Sequence, residues 1–169
     1  MTAGGGSSEL KPQFEISPLQ GIRARYENAT IIHSMGFASG PSVYDKVIPS
    51  KLNADSLRVA AIQTVKKADI VLFVGGLSKS HLQDCEGDDR KQFGLPFGQE
   101  TLINDIVAVN QNVGFVLITG NAVAMPWLKK VKGVIQTWYL GSMAGHAIAD
   151  VISGAVNPSG KLPFTFPMK

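Results

Sequence analysis

The stretch HLQDCEGDDRK, residues 81 to 91, gathers four carboxylates (Asp84, Glu86, Asp88, Asp89) and Arg90 around Cys85, the chain's single cysteine. It follows ADIVLFVGGLSKS, an apolar run ending in a glycine turn, in a chain that is only 17% charged. Three chemistries compete for these residues. A calcium loop would take Asp84, Glu86 and Asp88 as alternating ligands. Its obligatory glycine falls at position 87 instead of 89, and Leu95 stands where the bidentate carboxylate belongs. Thiol chemistry at Cys85 is opposed by the surrounding carboxylates, which suppress the thiolate. Acid/base work by a carboxyl group is the reading that the spacing does not contradict. A general acid at neutral pH needs a raised pKa, which neighbouring carboxylates supply by like-charge repulsion. Glu86 is central, and Gly87 lets the backbone approach a ligand. Arg90 is expected to pair with Asp88 or Asp89 and hold the loop in one shape.

Other chemistry-bearing residues are weaker candidates. His33, His81 and His146 are scattered, and only His81 lies in the acidic loop, where it and Asp84 are candidate substrate contacts. Trp127, Trp138 and Tyr139 fit either core packing or stacking on a sugar ring. There is no G-x-S-x-G, no G-x-x-x-x-G-K-[ST] and no H-E-x-x-H, and VGGLSKS lacks the third glycine of a dinucleotide fingerprint. No metal site and no cofactor is expected.

The elements that must position the loop follow from periodicity. SPLQGIRARYEN predicts a helix with Ser17 as N-cap and Pro18 in its first turn. ATIIHSMGF predicts a strand. NADSLRVAAIQTVKKA places Leu57, Ala61 and Val65 on one helix face. DIVLFVGGL and VGFVLITG are continuously apolar, as in parallel strands covered on both faces. GQETLINDIVAVNQ pairs Leu102 with Ile106 and Ile103 with Val107, a helix. AMPWLKK predicts a short helix begun by Pro126, VKGVIQTWYLG a strand, and GSMAGHAIADVISG a helix closed by Gly154. The Gly141/Gly145 pair is expected to bring that last helix close to the sheet. TAGGGSS predicts a linker or truncated loop over residues 1–12, with the domain proper over 13–169. The alternation implies a mostly parallel sheet sandwiched between helices, a flavodoxin-like or Rossmann-like three-layer α/β/α fold with right-handed crossovers. In such sheets ligands bind beyond the carboxyl ends of the strands, which is where the residue 78–96 loop departs.

Bulk properties narrow the partners. A chain of 169 residues that is 44% hydrophobic supports one globular domain. The net charge of +3 is carried by Lys and Arg scattered in ones and twos, such as Arg23/Arg25 and Lys66/Lys67, so no nucleic-acid surface is expected. No apolar run reaches the roughly 20 residues of a membrane span. One cysteine excludes an intrachain disulfide framework.

The segments GGGSSELKP, ISPLQGIRAR, CEGDDR, LPFGQETLI, MPWLKKVKGVIQTWYLG, AGHAIADVISG and NPSGKLPFTFP occur in that order. Together, from Gly4 to Pro167, they resemble the second, α/β-sandwich domain of glycoside hydrolase family 3, the β-glucosidases and related exo-acting enzymes. The resemblance implies that Glu86, in the E-G-x-D-R segment, is the general acid/base of a retaining hydrolysis. It implies that Gly87, Asp89 and Arg90 shape the loop. The nucleophile would be an aspartate in a preceding (β/α)8 barrel, which this chain does not contain, so the chain alone is expected to be inactive. The resemblance also implies a β-glucoside or oligosaccharide substrate and a periplasmic or secreted parent. Met143 stands at a position often acidic in the family. A strand ending in a GPNA-like turn usually precedes the GGGSS segment there, and here Met1 stands three residues before Gly4. A missing first strand would leave an unpaired edge, from which a homodimer or strand exchange is expected. The alternative from another class is a non-catalytic sugar-binding or scaffold domain. A flavin- or nucleotide-binding module rests on fold analogy alone.

Overall fold

The computed structural model describes residues 4–43, 46–87 and 89–168. Its centre is a parallel sheet of β3 (Val71–Gly76), β4 (Val113–Ile118) and β5 (Gly133–Gln136), hydrogen-bonded in that order. The register pairs Val71 with Val113 and Gly76 with Ile118, and Gly114 with Gly133. Four helices accompany it: α1 (Pro18–Arg25), α2 (Ala54–Val65), α3 (Gln99–Val109) and α4 (Ala144–Ile152). A small antiparallel pair, β1 (Ser42–Val43) with β2 (Lys46–Val47), stands apart.

Strand alternation sorts the core into two faces. Phe73, Val113, Phe115 and Leu117 pack with Ala61 and Val65 of α2 and Leu102, Ile103 and Ile106 of α3. Leu72, Val74, Val116 and Ile118 face the other way, onto Ile148 and Ile152 of α4. The strands are apolar on both faces because helices cover both, and the α/β sandwich expected from the sequence is the fold observed. Across the first face runs an aromatic row. Phe37 stacks on Phe73 at 6.0 Å, Phe73 lies 4.7 Å from Phe115, and Phe115 stacks on Trp127 at 4.3 Å. Trp127 is therefore a core residue.

Helix ends obey their capping chemistry. Ser17 and Gln20 form a reciprocal capping box ahead of Pro18. Asn53 caps α2 through the Ser56 amide, and Gly154 follows α4 at φ 76°. Three expectations are corrected. Residues 29–37 form no strand; the segment passes over α2 and α3 at Gly36, where no neighbouring strand supplies a ladder among the described residues. The helix begun by Pro126 is only a 3-10 turn, Leu128–Lys130, at the end of the core loop around Trp127. Gly145 brings α4 against α1, not the sheet. A Cβ there would sit 2.1 Å from the Ser17 carbonyl oxygen, and one on Gly21 would sit 1.9 Å from the Gly145 carbonyl oxygen. Gly141 forms a turn at φ 74°.

On its far side from β4, β3 borders no strand among the described residues.

Candidate active site

Loops leaving the carboxyl ends of the three sheet strands converge on one side of the sheet. The longest begins after Gly76, whose φ of 142° turns the chain out of β3. Gln99 locks this exit. It is completely buried, accepts from the Gly76 amide at 2.8 Å, and donates its own amide to the Gly76 carbonyl at 2.8 Å and the Pro96 carbonyl at 3.0 Å. The side chain pairs with the Gly76 backbone as a neighbouring strand would, so both ends of the acidic loop are tied at one point.

Within the loop, Asp84 is buried and accepts three hydrogen bonds. Its Oδ2 takes the Tyr139 hydroxyl at 2.5 Å and the Gly120 amide at 2.6 Å, and its Oδ1 takes the Asn121 amide at 2.7 Å. Gly120 and Asn121 follow β4, and Tyr139 follows β5, so one carboxylate staples all three strand-end loops together. Burial, reinforced by the adjacent Asp84 carboxylate, pushes the Tyr139 phenol far above its ordinary range, keeping it a donor. Asn121 extends the network by accepting from the Arg90 guanidinium at 2.7 Å; Arg90 also donates to the Ala122 carbonyl at 2.5 Å and lies over the Phe93 ring.

These contacts change the roles expected of several residues. Both oxygens of Asp84 are engaged within the chain, by the loops after β4 and β5. Arg90 contacts Asn121 and Ala122 instead of the expected carboxylate; among the described residues it has no ion pair with Asp89, which is exposed. The alternative partner, Asp88, lies outside the described residues. Gly87 takes φ 85°, the left-handed turn that carries the chain past Glu86. His81 lines an adjoining cavity of about 220 Å³ with Gly40, Ile48 and Pro96, which shares Gln83, Arg90, Lys91 and Gln92 with the cleft around Glu86.

Glu86 is exposed at an open cleft of about 840 Å³, which is also lined by Asp84, Arg90, Phe93, Asn121 and Tyr139. Its Oε2 accepts from the Ser7 amide at 2.6 Å. The Ser7 hydroxyl and amide hold the Glu86 carboxyl below the ordinary glutamate range. The upward shift expected from neighbouring carboxylates is therefore not found. Asp84 already has three donors of its own, and Glu86 faces donors rather than acceptors.

The contact with Ser7 is one of several that residues 4–9 make with the acidic loop. Gly5 is buried and forms a parallel bridge with Cys85, and Glu9 pairs with Lys79 at 2.5 Å. Glycine-rich composition gave no hint of this, because the partner surface lies about 80 residues away in sequence. Partners 23 to 79 positions away hid the contacts of Ser7, Gln99, Asn121 and Tyr139. Ser7, Gln99 and Tyr139 do lie inside the quoted motif segments GGGSSELKP, LPFGQETLI and MPWLKKVKGVIQTWYLG. Among the described residues, no group of three His, Cys, Asp or Glu side chains is placed to hold a metal ion.

This fold and loop arrangement have close counterparts. The chain matches the Glycosyl hydrolase family 3 C-terminal domain over residues 1–169. It is 50% identical over 168 residues to Beta-glucosidase BoGH3A of Bacteroides ovatus, covering 98% of this chain and 22% of that protein. It is 37% identical over 166 residues to an exo-alpha-(1->6)-L-arabinopyranosidase of Bifidobacterium breve, covering 98% of this chain and 20% of that one. In structure it superposes on the Bifidobacterium adolescentis GH3 beta-glucosidase with a TM-score of 0.80 at 34% identity, over 98% of this chain and 23% of the other. The chain belongs to glycoside hydrolase family 3, as its C-terminal α/β domain. It spans about a fifth of the length of these curated relatives.

Proposed function

We propose that this chain is the second domain of a retaining, exo-acting β-glycosidase of the β-glucosidase type, and that Glu86 is its general acid/base. The observation that carries the reading is the contrast within one loop. Of the carboxylates on either side of Cys85, Asp84 is consumed by three internal donors while Glu86 stands exposed at the cleft. Glu86 would protonate the glycosidic oxygen as the bond to the sugar breaks, then take a proton from the water that releases the sugar. Such a mechanism needs a nucleophilic carboxylate ~5–5.5 Å from the acid/base. The barrel preceding this domain in the parent protein supplies it, so the 169-residue chain alone is inactive.

Two relatives support placing sugar choice outside this domain. One is named for glucosides and the other for arabinopyranosides, yet this chain aligns with both over 98% of its length. The substrate class is a terminal β-linked sugar whose identity the barrel reads. The test is hydrolysis of an aryl β-glucoside by the chain alone, by the chain mixed with the upstream barrel, and by the full-length parent, each with a Glu86→Ala control. Activity only when the barrel is present, lost in the variant, supports the reading. Full activity surviving Glu86→Ala would place the proton donor elsewhere.

A further inference from the structure

Three consecutive glycines precede Ser7, and each lies where a side chain would press on the acidic loop. A Cβ on Gly4 would sit 3.2 Å from the Asp84 carbonyl oxygen, and one on Gly5 would sit 2.4 Å from the Lys79 carbonyl oxygen. On Gly6 it would meet the Glu86 Cβ at 2.4 Å, and Gly6 also holds φ 83°. The backbone uses this closeness. The Gly5 amide donates to the Asp84 carbonyl at 2.8 Å, and the Glu86 amide donates back to the Gly5 carbonyl at 3.3 Å. The Lys79–Glu9 pair closes the far end of the segment. The product of the fit is one hydrogen bond, from the Ser7 amide to Oε2 of Glu86 at 2.6 Å. Among the described residues, Oε1 has no hydrogen-bond donor.

We propose that the Gly4–Ser8 segment is a positioning element of the glycosidase site, in which Ser7 holds Oε2 of Glu86 and so presents Oε1 to the glycosidic oxygen. The proposal rests on the acid/base reading of Glu86. An amide aimed at one carboxylate oxygen fixes the rotamer, and the donors of Ser7 favour the ionised form. Among the described residues, the other charged groups lining the cleft are each engaged elsewhere or exposed at its rim. Asp84 is tied up by Tyr139, Gly120 and Asn121, Arg90 by Asn121 and Ala122, and Lys79 by Glu9. Asp89 and Lys91 are exposed at the rim. In the isolated domain Glu86 therefore rests as a carboxylate, the state it must occupy in the second, water-activating step. A sugar and barrel that cover it would shift it toward the acid needed for the first step.

The test has two readouts. On the 169-residue chain, NMR titration of the Glu86 side-chain carboxyl is compared in wild type, Ser7→Ala, which keeps the amide, and Ser7→Pro, which removes it. Thermal unfolding identifies the variants that remain folded. Removing donors to the carboxylate raises its pKa, so the midpoint should move up in Ser7→Ala and in Ser7→Pro, while Ser7→Thr restores it. In the full-length parent the same variants should lose roughly ten- to a hundredfold in kcat/KM. The basic limb of their pH profile should move to higher pH. An unchanged Glu86 midpoint in folded Ser7→Ala and Ser7→Pro chains would overturn the proposal. A midpoint that moves while kcat/KM stays at wild type would also overturn it, leaving the acid/base reading intact. A Glu86→Ala parent with full activity would remove that reading and the proposal together.

Discussion

Asp84 and Glu86 flank one cysteine on one loop, and the fold treats them in opposite ways. Asp84 points inward, is 9% exposed, and gathers donors from the loops after β4 and β5. Glu86 points outward, and among the described residues its carboxyl is hydrogen-bonded by Ser7 alone. A buried carboxylate with three good donors is an anchor, because desolvation makes any loss of those partners costly. An exposed carboxylate with one oxygen held and one open can meet a ligand, as the proposed acid/base role requires. The comparison teaches that the charge density of the loop serves two purposes, and that local composition cannot separate them. What separates them is the distant segment each side chain meets: the loops after β4 and β5 for Asp84, and the Ser7 segment for Glu86.

The largest effect expected is on chemistry. In the full-length parent, Glu86→Ala should lower kcat/KM for an aryl β-glucoside by roughly a hundred- to ten-thousandfold. It should leave the thermal midpoint of this domain within the scatter of a surface substitution, because the side chain is exposed. Asp84→Ala should do the reverse to stability. It strands the Tyr139 hydroxyl, the Gly120 amide and the Asn121 amide, at a cost of about 2–4 kcal/mol in denaturant unfolding. An Asp84→Ala domain as stable as wild type would break the contrast.

Gly5→Ala should cost about 1–3 kcal/mol and detach residues 4–9, since the added methyl meets the Lys79 carbonyl. Hydrogen exchange at the Ser7 amide reports that release. The same probe gives the pH dependence. The Glu86 carboxyl is depressed, so the bond it accepts from Ser7 is fully present above the ordinary glutamate pKa and fades as pH falls through the lowered value. Ser7 exchange protection should therefore be lost in acid; protection independent of pH there would contradict the bond. The smallest effect should come from Arg58→Ala. It removes the partly exposed Arg58–Asp105 pair between α2 and α3, far from the loop, at about 0.2–1 kcal/mol.

The layered sheet was legible because its signals are local. The apolar runs of β3 and β4, the helical spacing of Leu102 and Ile106, and the Ser17 capping box all lie within a few residues of one another. The site's position at the strand ends followed from topology, and Glu86 followed from the E-G-x-D-R resemblance. The rest depended on partners distant in sequence. Tyr139 reaches Asp84 across 55 positions and Ser7 reaches Glu86 across 79. No periodicity encodes such pairs. GGGSS resembled a linker for the same reason: glycine marks both flexible chain and close packing, and only the surface opposite decides which. The β-branched run at 29–37 failed as a strand because strand formation needs an adjacent edge as well as propensity. Two-residue strands such as β1 and β2 carry too little pattern to be seen.

The most direct test of Glu86 as the exposed reagent is azide rescue in the full-length parent, comparing Glu86→Ala with Asp84→Ala on a dinitrophenyl β-glucoside. That leaving group departs without a proton, and azide replaces the water that Glu86 would activate. The account predicts that azide accelerates turnover by Glu86→Ala and yields the β-glucosyl azide, with no such acceleration for Asp84→Ala. Azide that leaves Glu86→Ala unmoved, or that rescues Asp84→Ala instead, would contradict it.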